Sequence, residues 1–206
     1  MDEFWSQLST ISPIDWFAML TGIAGVYLSI KEKTLAWLLF ILCYIAYVYI
    51  SFRESYFAFG GMNVIFVAVA SYGWYQWTKS TQDNTADEVR ISHLPANRRW
   101  LVATFICIGT IGIGWTLAQT GEARLPYYDA FATSCALVAQ WMLSRKHIEN
   151  WIFWILSDLV YLVFFFNDRI WPSVILFAVF TLLAVKGWLT WKPKLTTSII
   201  QPDSQK

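Results

Sequence analysis

The fold class predicted by this sequence is an all-α integral membrane protein, with seven transmembrane helices ordered three, one and three. Three observations predict it. Of the 206 residues, 57% are hydrophobic and 14% are charged, where a soluble domain carries about 25% charged residues. Residues 15–77 recur without a gap as residues 129–191, with thirteen identities at a constant offset of 114. Seven apolar stretches approach the ~20 residues that cross a hydrocarbon core. They lie at 13–30, 34–52, 55–78, 99–119, 127–144, 148–167 and 171–191.

Each segment has its own justification. Residues 1–12 place Phe4, Trp5, Leu8 and Ile11 on one side of a short helix suited to the outer membrane surface. Residues 13–78 form a first three-helix repeat. The polar stretch 79–98 is a cytoplasmic loop, and 99–119 is a linker helix that inverts the chain. Its Gly109, Gly112 and Gly114 suit close helix packing. Residues 127–191 form the second repeat, and 192–206 are a cytoplasmic tail. The repeat pairs Asp15 with Asp129, Trp37 with Trp151, Tyr47 with Tyr161, Gly73 with Gly187 and Trp77 with Trp191. Charge also recurs in the connecting loops, as Lys31 with Arg145 and Glu54 with Asp168.

Loop charge gives direction. One set of loops holds eleven Lys and Arg residues, and the opposite set holds only Arg53, Arg124 and Arg169. Basic loops stay in the cytoplasm, so the N-terminus is expected outside and the C-terminus inside. An odd linker helix then gives both triplets the same orientation, a parallel repeat about an axis along the membrane normal. Membrane proteins duplicated in this way place a substrate between their halves. Trp16, Trp37, Trp100, Trp115, Trp171, Trp188 and Trp191 fall near span ends and are expected in the interfacial aromatic belt.

Several classes are excluded. A net charge of +1 without a basic run gives no nucleic-acid surface. Cys43, Cys107 and Cys135 stand singly in apolar segments, without disulfide or metal spacing. Asp2 and Glu3 at the N-terminus argue against a cleavable leader. His93 and His147 lie in loops, and no nucleophile–base pair or phosphate-binding loop is present, so neither an enzyme nor a cofactor is expected.

The sharpest constellation is in the sixth span, where Trp151, Trp154 and Asp158 are spaced i, i+3, i+7 and share one helix face. Asp158 lies ten residues from either span end, and an ionisable side chain at that depth faces a cavity or a partner. Two indoles and a carboxylate suit a flat, positively charged ring, by stacking and cation–π attraction. The blander alternative puts Trp151 in the belt and Asp158 in an internal hydrogen-bond network. The first-repeat counterparts of Trp154 and Asp158 are Phe40 and Tyr44, so the stripe is specialised in one half. Asn63 and Gln140 add amides that both donate and accept, either to a ligand or between helices. Asp15 and Asp129 follow Pro13 and Pro126 and are expected to cap their helices. Glu149 is expected to stabilise a first turn. Lys186 in the last span raises a rival class, a retinal protein with Asp158 as counter-ion. Lys186 lies five residues from the cytoplasmic span end and can snorkel. Position 182 is Leu rather than the aspartate of the retinal pattern.

These residues carry a resemblance. Tyr72-Gly73-Trp74-Tyr75-Gln76-Trp77, Gln140-Trp141, Arg145-Lys146 with Glu149-Asn150-Trp151, and Trp151-x-x-Trp154-x-x-x-Asp158 resemble the signatures of the PnuC family of vitamin transporters, over residues 13–191. The resemblance implies a fold similar to full-length SWEET transporters, in a bacterial inner (plasma) membrane. It implies facilitated diffusion of a small cationic vitamin, product trapping by a cytosolic kinase, and a trimer. Leu42-Cys43-Tyr44 and Ala70-Ser71 depart from asparagines found in some nicotinamide riboside transporters. Asp at 158, rather than Asn, favours a cation. Nicotinamide riboside and thiamine fit equally in charge and neutral riboflavin fits worse, so nicotinamide riboside is the expected substrate, with thiamine as the alternative. Substrate contacts are expected from Trp151, Trp154, Asp158, Gln140, Asn63, Phe40 and Tyr44.

Overall fold

A computed structural model describes the backbone of residues 2–82, 90–121 and 123–200. Part of the polar stretch 79–98 and the end of the tail, 201–206, therefore lie outside the described residues. The described residues form helices α1 (Asp2–Thr10), α2 (Pro13–Ile30), α3 (Leu35–Arg53), α4 (Phe57–Gln82), α5 (Arg99–Thr120), α6 (Pro126–Ser144), α7 (Asn150–Asn167) and α8 (Trp171–Ile200). A 3-10 turn, Ala96–Arg98, leads into α5. Among the described residues six helices are long and apolar enough to cross a membrane, and α6 is the long helix that falls short. The reason is its position. α6 packs against α4, α5 and α7, and most of its length is buried, including Thr133, Ser134, Gln140 and Ser144. A helix covered by protein needs no lipid-facing apolar surface, so polar side chains are tolerated there.

Helix contacts close into a ring: α2 on α3, α3 on α4, α4 on α6, α6 on α7, α7 on α8 and α8 back on α2. α5 stands against α6 and touches α4. Exchanging α2, α3, α4 for α6, α7, α8 leaves the ring unchanged, while α5 sits on one side of it. The symmetry reaches individual atoms. Trp77 Nε1 donates to the Ser144 carbonyl at 3.2 Å, and Trp191 Nε1 donates to the Ile30 carbonyl at 3.0 Å. Both bonds join one repeat to the other. Trp37 meets Trp77 edge-on at 5.3 Å, and Trp151 meets Trp191 edge-on at 5.2 Å. Glu32 and Lys146 both take left-handed backbone in equivalent turns, with φ 55° and 51°, as do Ser55 and Arg169, with φ 65° and 57°.

These packings correct the belt reading for two tryptophans. Trp37 and Trp191 are fully buried in a core shared by both halves, with Phe40, Trp77, Leu143 and Trp151. Trp16, Trp100 and Trp115 are exposed. Of the α5 glycines, Gly109 faces Ser134 and Gly114 faces Tyr127 at distances that exclude a Cβ, while Gly112 faces nothing within 4 Å.

The turns at one end of the bundle are stapled. Glu32 accepts from Lys146, its own counterpart 114 residues on, at 2.8 Å, and also from Lys194 on α8. Burial would raise the Glu32 carboxyl, but the two ammonium groups hold it below its ordinary value. The stretch before α5 docks on the α6–α7 turn. Ser92 N donates to the Lys146 carbonyl, Ile148 N donates to the Ser92 carbonyl, and Ile91 and Leu94 are buried. Glu149, expected to stabilise a first turn, instead accepts from Leu94 N and contacts His93 Nδ1, each at 2.9 Å. Burial would raise its carboxyl too, but these bonds hold it low. At the opposite end, Gln7 of α1 donates to the Arg169 carbonyl and accepts from Trp171 N, clamping α1 to the α7–α8 turn.

Two measurements check this packing. A Cβ at Gly73 or Gly187 would lie 2.4 Å or 2.5 Å from the rings of Trp37 or Trp151. Gly73→Ala and Gly187→Ala are each expected to destabilise by about 1–3 kcal/mol, the usual cost of overpacking a core. Gly61→Ala, with open space around its Cβ, is the control and should melt no lower than the parent in detergent. Equal melting of all three variants would refute the packing. Glu32 and Glu149 are both depressed in the folded state, so their stabilisation is present above the ordinary Glu value of about 4.3 and is lost as pH falls through the lower folded values. Melting temperature should therefore drop on acidification below that range, and E32Q should lower the melting temperature at neutral pH and flatten the profile.

Candidate functional site

The ring of helices encloses a cavity of about 410 Å³, within the range of small-molecule sites of about 300–1,000 Å³. Its floor is formed by Phe40, Trp151 and Ala184, members of the core shared by the two halves. From there it runs along α7, past Trp154, Asp158 and Tyr161, to Tyr128, Asp129 and Ser173 near the starts of α6 and α8. The side closed by the Trp77 and Trp191 hydrogen bonds is thus the side bearing the Glu32–Lys146 pair.

Aromatic side chains dominate the walls. In the first repeat Phe40 stacks near Tyr44 at 6.2 Å, and Tyr44 stacks on Phe66 at 5.0 Å. In the second, Tyr161 lies 4.9 Å from Phe177, which stacks on Phe165 at 5.4 Å. Small residues let these rings close in. A Cβ on Gly25 would lie 2.8 Å from Phe40, and one on Gly22 would lie 3.4 Å from Phe180. Charge in the lining is one-sided: Asp129 and Asp158 line the cavity, and no lysine or arginine among the described residues does.

Six of the seven residues expected to contact a substrate line this cavity: Trp151, Trp154, Asp158, Asn63, Phe40 and Tyr44. Trp151 and Trp154 also belong to or pack against the shared core, and Trp151 is 1% exposed, so it is not a belt residue. Asp158 is 4% exposed and has no hydrogen-bond partner among the described residues. The internal hydrogen-bond network offered as its alternative role is thus not seen. Asn63 Nδ2 donates to the Phe59 carbonyl at 2.9 Å, within its own helix, which leaves its carbonyl oxygen for the cavity. Gln140 is the exception. It is fully buried in α6, neither atom of its amide is bonded, and it does not line the cavity. Its first-repeat counterpart Val26 lines the cavity from α2, whereas the α6 lining ends at Ala136, one turn before Gln140. Lys186 does not line the cavity either. Its ammonium lies 5.5 Å from the Tyr27 ring, away from Asp158, so the retinal-protein reading has no support in the geometry.

Of the two helix-start aspartates expected to cap their helices, Asp15 does so and Asp129 does not. In α2 the cap is Ser12, and Asp15 completes a capping box by accepting from Ser12 N at 3.2 Å. In α6 the cap position is Leu125, with no side-chain cap. Asp129 is one turn in and accepts instead from the Tyr161 hydroxyl at 2.8 Å. The missing signal is visible in hindsight: a serine precedes Pro13 but a leucine precedes Pro126, so only the first repeat has a cap donor for its aspartate to partner.

Comparison with known proteins agrees with this architecture. The chain is 22% identical over 204 residues to the nicotinamide riboside transporter PnuC of Escherichia coli, covering 88% of this chain and 85% of that protein. It is 23% identical over 194 residues to the nicotinamide riboside transporter PnuC of Neisseria mucosa, covering 87% and 73%. It is 26% identical over 132 residues to the riboflavin/roseoflavin transporter RibM of Streptomyces davaonensis, covering 64% and 62%. Its fold is similar to the crystal structure of the vitamin B3 transporter PnuC, with a TM-score of 0.69, 21% identity, and coverage of 88% and 81%. The nicotinamide mononucleotide transporter family model matches residues 12–193, and the chain therefore belongs to that family, the family of the PnuC transporters.

Proposed function

We propose that this protein carries nicotinamide riboside into the cell by facilitated diffusion across a bacterial inner membrane. The observation that carries the reading is the cavity's one-sided charge: two carboxylates, no described lysine or arginine, and aromatic walls. A flat cation stacked against Trp154 would meet its π-face and the Asp158 carboxyl, which has no partner among the described residues. Two relatives named for nicotinamide riboside, matched over most of their length, support the same substrate. Thiamine is the second reading, since its thiazolium supplies the same positive charge and Asp158 does not distinguish the two. The neutral flavin that gives RibM its name makes poorer use of two carboxylates.

Seven helices, α2–α8, cross the membrane on this reading, with α6 carried inside the bundle. The N-terminus is outside and the C-terminus cytoplasmic, as loop charge requires. The cavity then opens to the outside, and the Trp77, Trp191 and Glu32 contacts close the cytoplasmic side. Alternating access follows from rocking of the two triplets about the cavity, breaking those contacts while others form at the opposite end. No ion gradient is used. Phosphorylation of the substrate by a cytosolic kinase keeps it inside, and the protein assembles as a trimer.

Four outcomes test this reading. A phosphatase reporter fused after Lys206 should be inactive, and strong activity there would overturn the orientation. In sealed vesicles the substrate should equilibrate without any gradient; accumulation that collapses with a protonophore would refute facilitated diffusion. Trp154→Ala should weaken binding of the cation by about 1–2 kcal/mol, the worth of a desolvated cation–π contact. Asp158→Asn should weaken the cation more than an uncharged analogue of the same shape. Equal loss for both ligands, with a lowered melting temperature, would mark Asp158 as structural.

A further inference from the structure

The far end of the cavity carries a second carboxylate that ring stacking on α7 does not use. Asp129 Oδ1 accepts from the Tyr161 hydroxyl at 2.8 Å, and Thr133 Oγ1 lies 3.0 Å from the same hydroxyl. All three residues line the cavity. The tyrosine has one proton to give, and it goes to Asp129, so Thr133 is the donor to Tyr161. This chain of bonds fixes one oxygen of Asp129 and leaves Oδ2 without a donor among the described residues.

The first repeat has no such group. Its tyrosine, Tyr47, lines the cavity, but Thr133 is replaced by Met19, and Asp15 is engaged with Ser12 at the start of α2. The acceptor is therefore a property of the second half, as Asp158 is. Asp158 lies one turn before Tyr161 on α7, about 4.5 Å along the helix axis. It is 4% exposed, lines the same cavity and is bonded to no described residue. The cavity thus offers two carboxyl groups in series, Asp158 beside Trp154 and Asp129 beyond it, at the Tyr161 hydroxyl.

Resting on the function proposed above, we infer that Asp129 accepts hydrogen bonds from the hydroxyl groups on the arm of the substrate whose cationic ring Asp158 holds. Tyr161 and Thr133 are positioning residues: they hold the carboxylate in the cavity wall rather than touching the ring. A carboxylate is the acceptor suited to sugar or alcohol hydroxyls, because bonds to an ionised group are stronger than neutral ones. The division of labour also accounts for two carboxylates opposite a ligand with a single positive charge. One answers the charge and the other reads the arm.

The test compares each hydroxylated cation with its hydroxyl-free partner, by calorimetry on the purified full-length protein. The pairs are nicotinamide riboside with 1-methylnicotinamide, and thiamine with the analogue lacking its side-chain hydroxyl. For whichever hydroxylated cation the unmodified protein binds, Asp129→Ala should weaken binding about tenfold or more and leave the hydroxyl-free partner unchanged. Tyr161→Phe should show the same pattern with a smaller loss, and its retained binding of the hydroxyl-free partner shows that it is folded. Asp158→Asn should weaken both members. Should D129A and Y161F change both members alike, or neither, the arm site is overturned while the proposed function stands. Binding of neither hydroxylated cation by the unmodified protein would overturn the proposed function and the arm site together.

Discussion

The architecture depends on two indole N–H groups. Trp77 and Trp191 each reach from the last helix of one repeat to the last carbonyls of the first helix of the other. A helix C-terminus leaves its final carbonyls without partners inside the helix, and in an apolar setting such groups cost several kcal/mol if left bare. Each tryptophan satisfies one of them and fills the space beside it. Its ring then forms one side of an edge-on pair, with Trp37 or Trp151, and the other ring of the pair packs closely against Gly73 or Gly187. A single residue type at one position thus joins the halves, satisfies a helix end and sets the depth of the cavity floor.

Duplication supplies this frame, and divergence supplies the chemistry. Glu32 and Lys146 are the same position in the two repeats and meet across the pseudo-two-fold axis. Two identical copies would oppose like charges there, whereas the diverged pair attracts. The same freedom appears in the cavity. Tyr44 stacks into an aromatic wall on one side, and Asp158 stands on the other. Asp15 serves its helix, while Asp129 serves the cavity. An asymmetric ligand held between symmetric halves needs such differences, because each half meets a different part of it.

The broad plan was legible because it follows from periodicity and repetition. Apolar stretches of spanning length and the constant offset of 114 gave the helices and their pairing. The i, i+3, i+7 spacing of Trp151, Trp154 and Asp158 gave the α7 face that lines the cavity. What escaped depended on contacts between segments far apart in the chain. Trp37 and Trp191 sit near span ends and have belt composition, yet they are buried by partners about 40 and 160 residues away in sequence. Gln140 has the chemistry of a ligand contact, but it is fully buried one turn beyond the α6 residues that line the cavity. Glu149 looked like first-turn charge because the stretch that binds it, 92–94, reads as part of a polar loop. In each case the residue type was read correctly and the neighbour was not, since neighbours are set by packing rather than by local pattern.

Asp158, without a partner among the described residues, has a physical consequence for transport. A carboxylate without a partner in an apolar cavity is costly, and removing a partner from a buried charge costs more than an exposed pair gains. On the proposed function, the empty carrier holds that cost, and the cationic substrate relieves it by supplying the counter-charge. The loaded cavity is then closer to neutral than the empty one. Closing the outer end over it, and parting the Trp77 and Trp191 contacts on the other side, would no longer seal an uncompensated charge in a dry interior. Electrostatics alone then favours reorientation of the loaded carrier, without an ion gradient, and makes the return of the empty carrier, which net diffusion also requires, the slower step of the cycle.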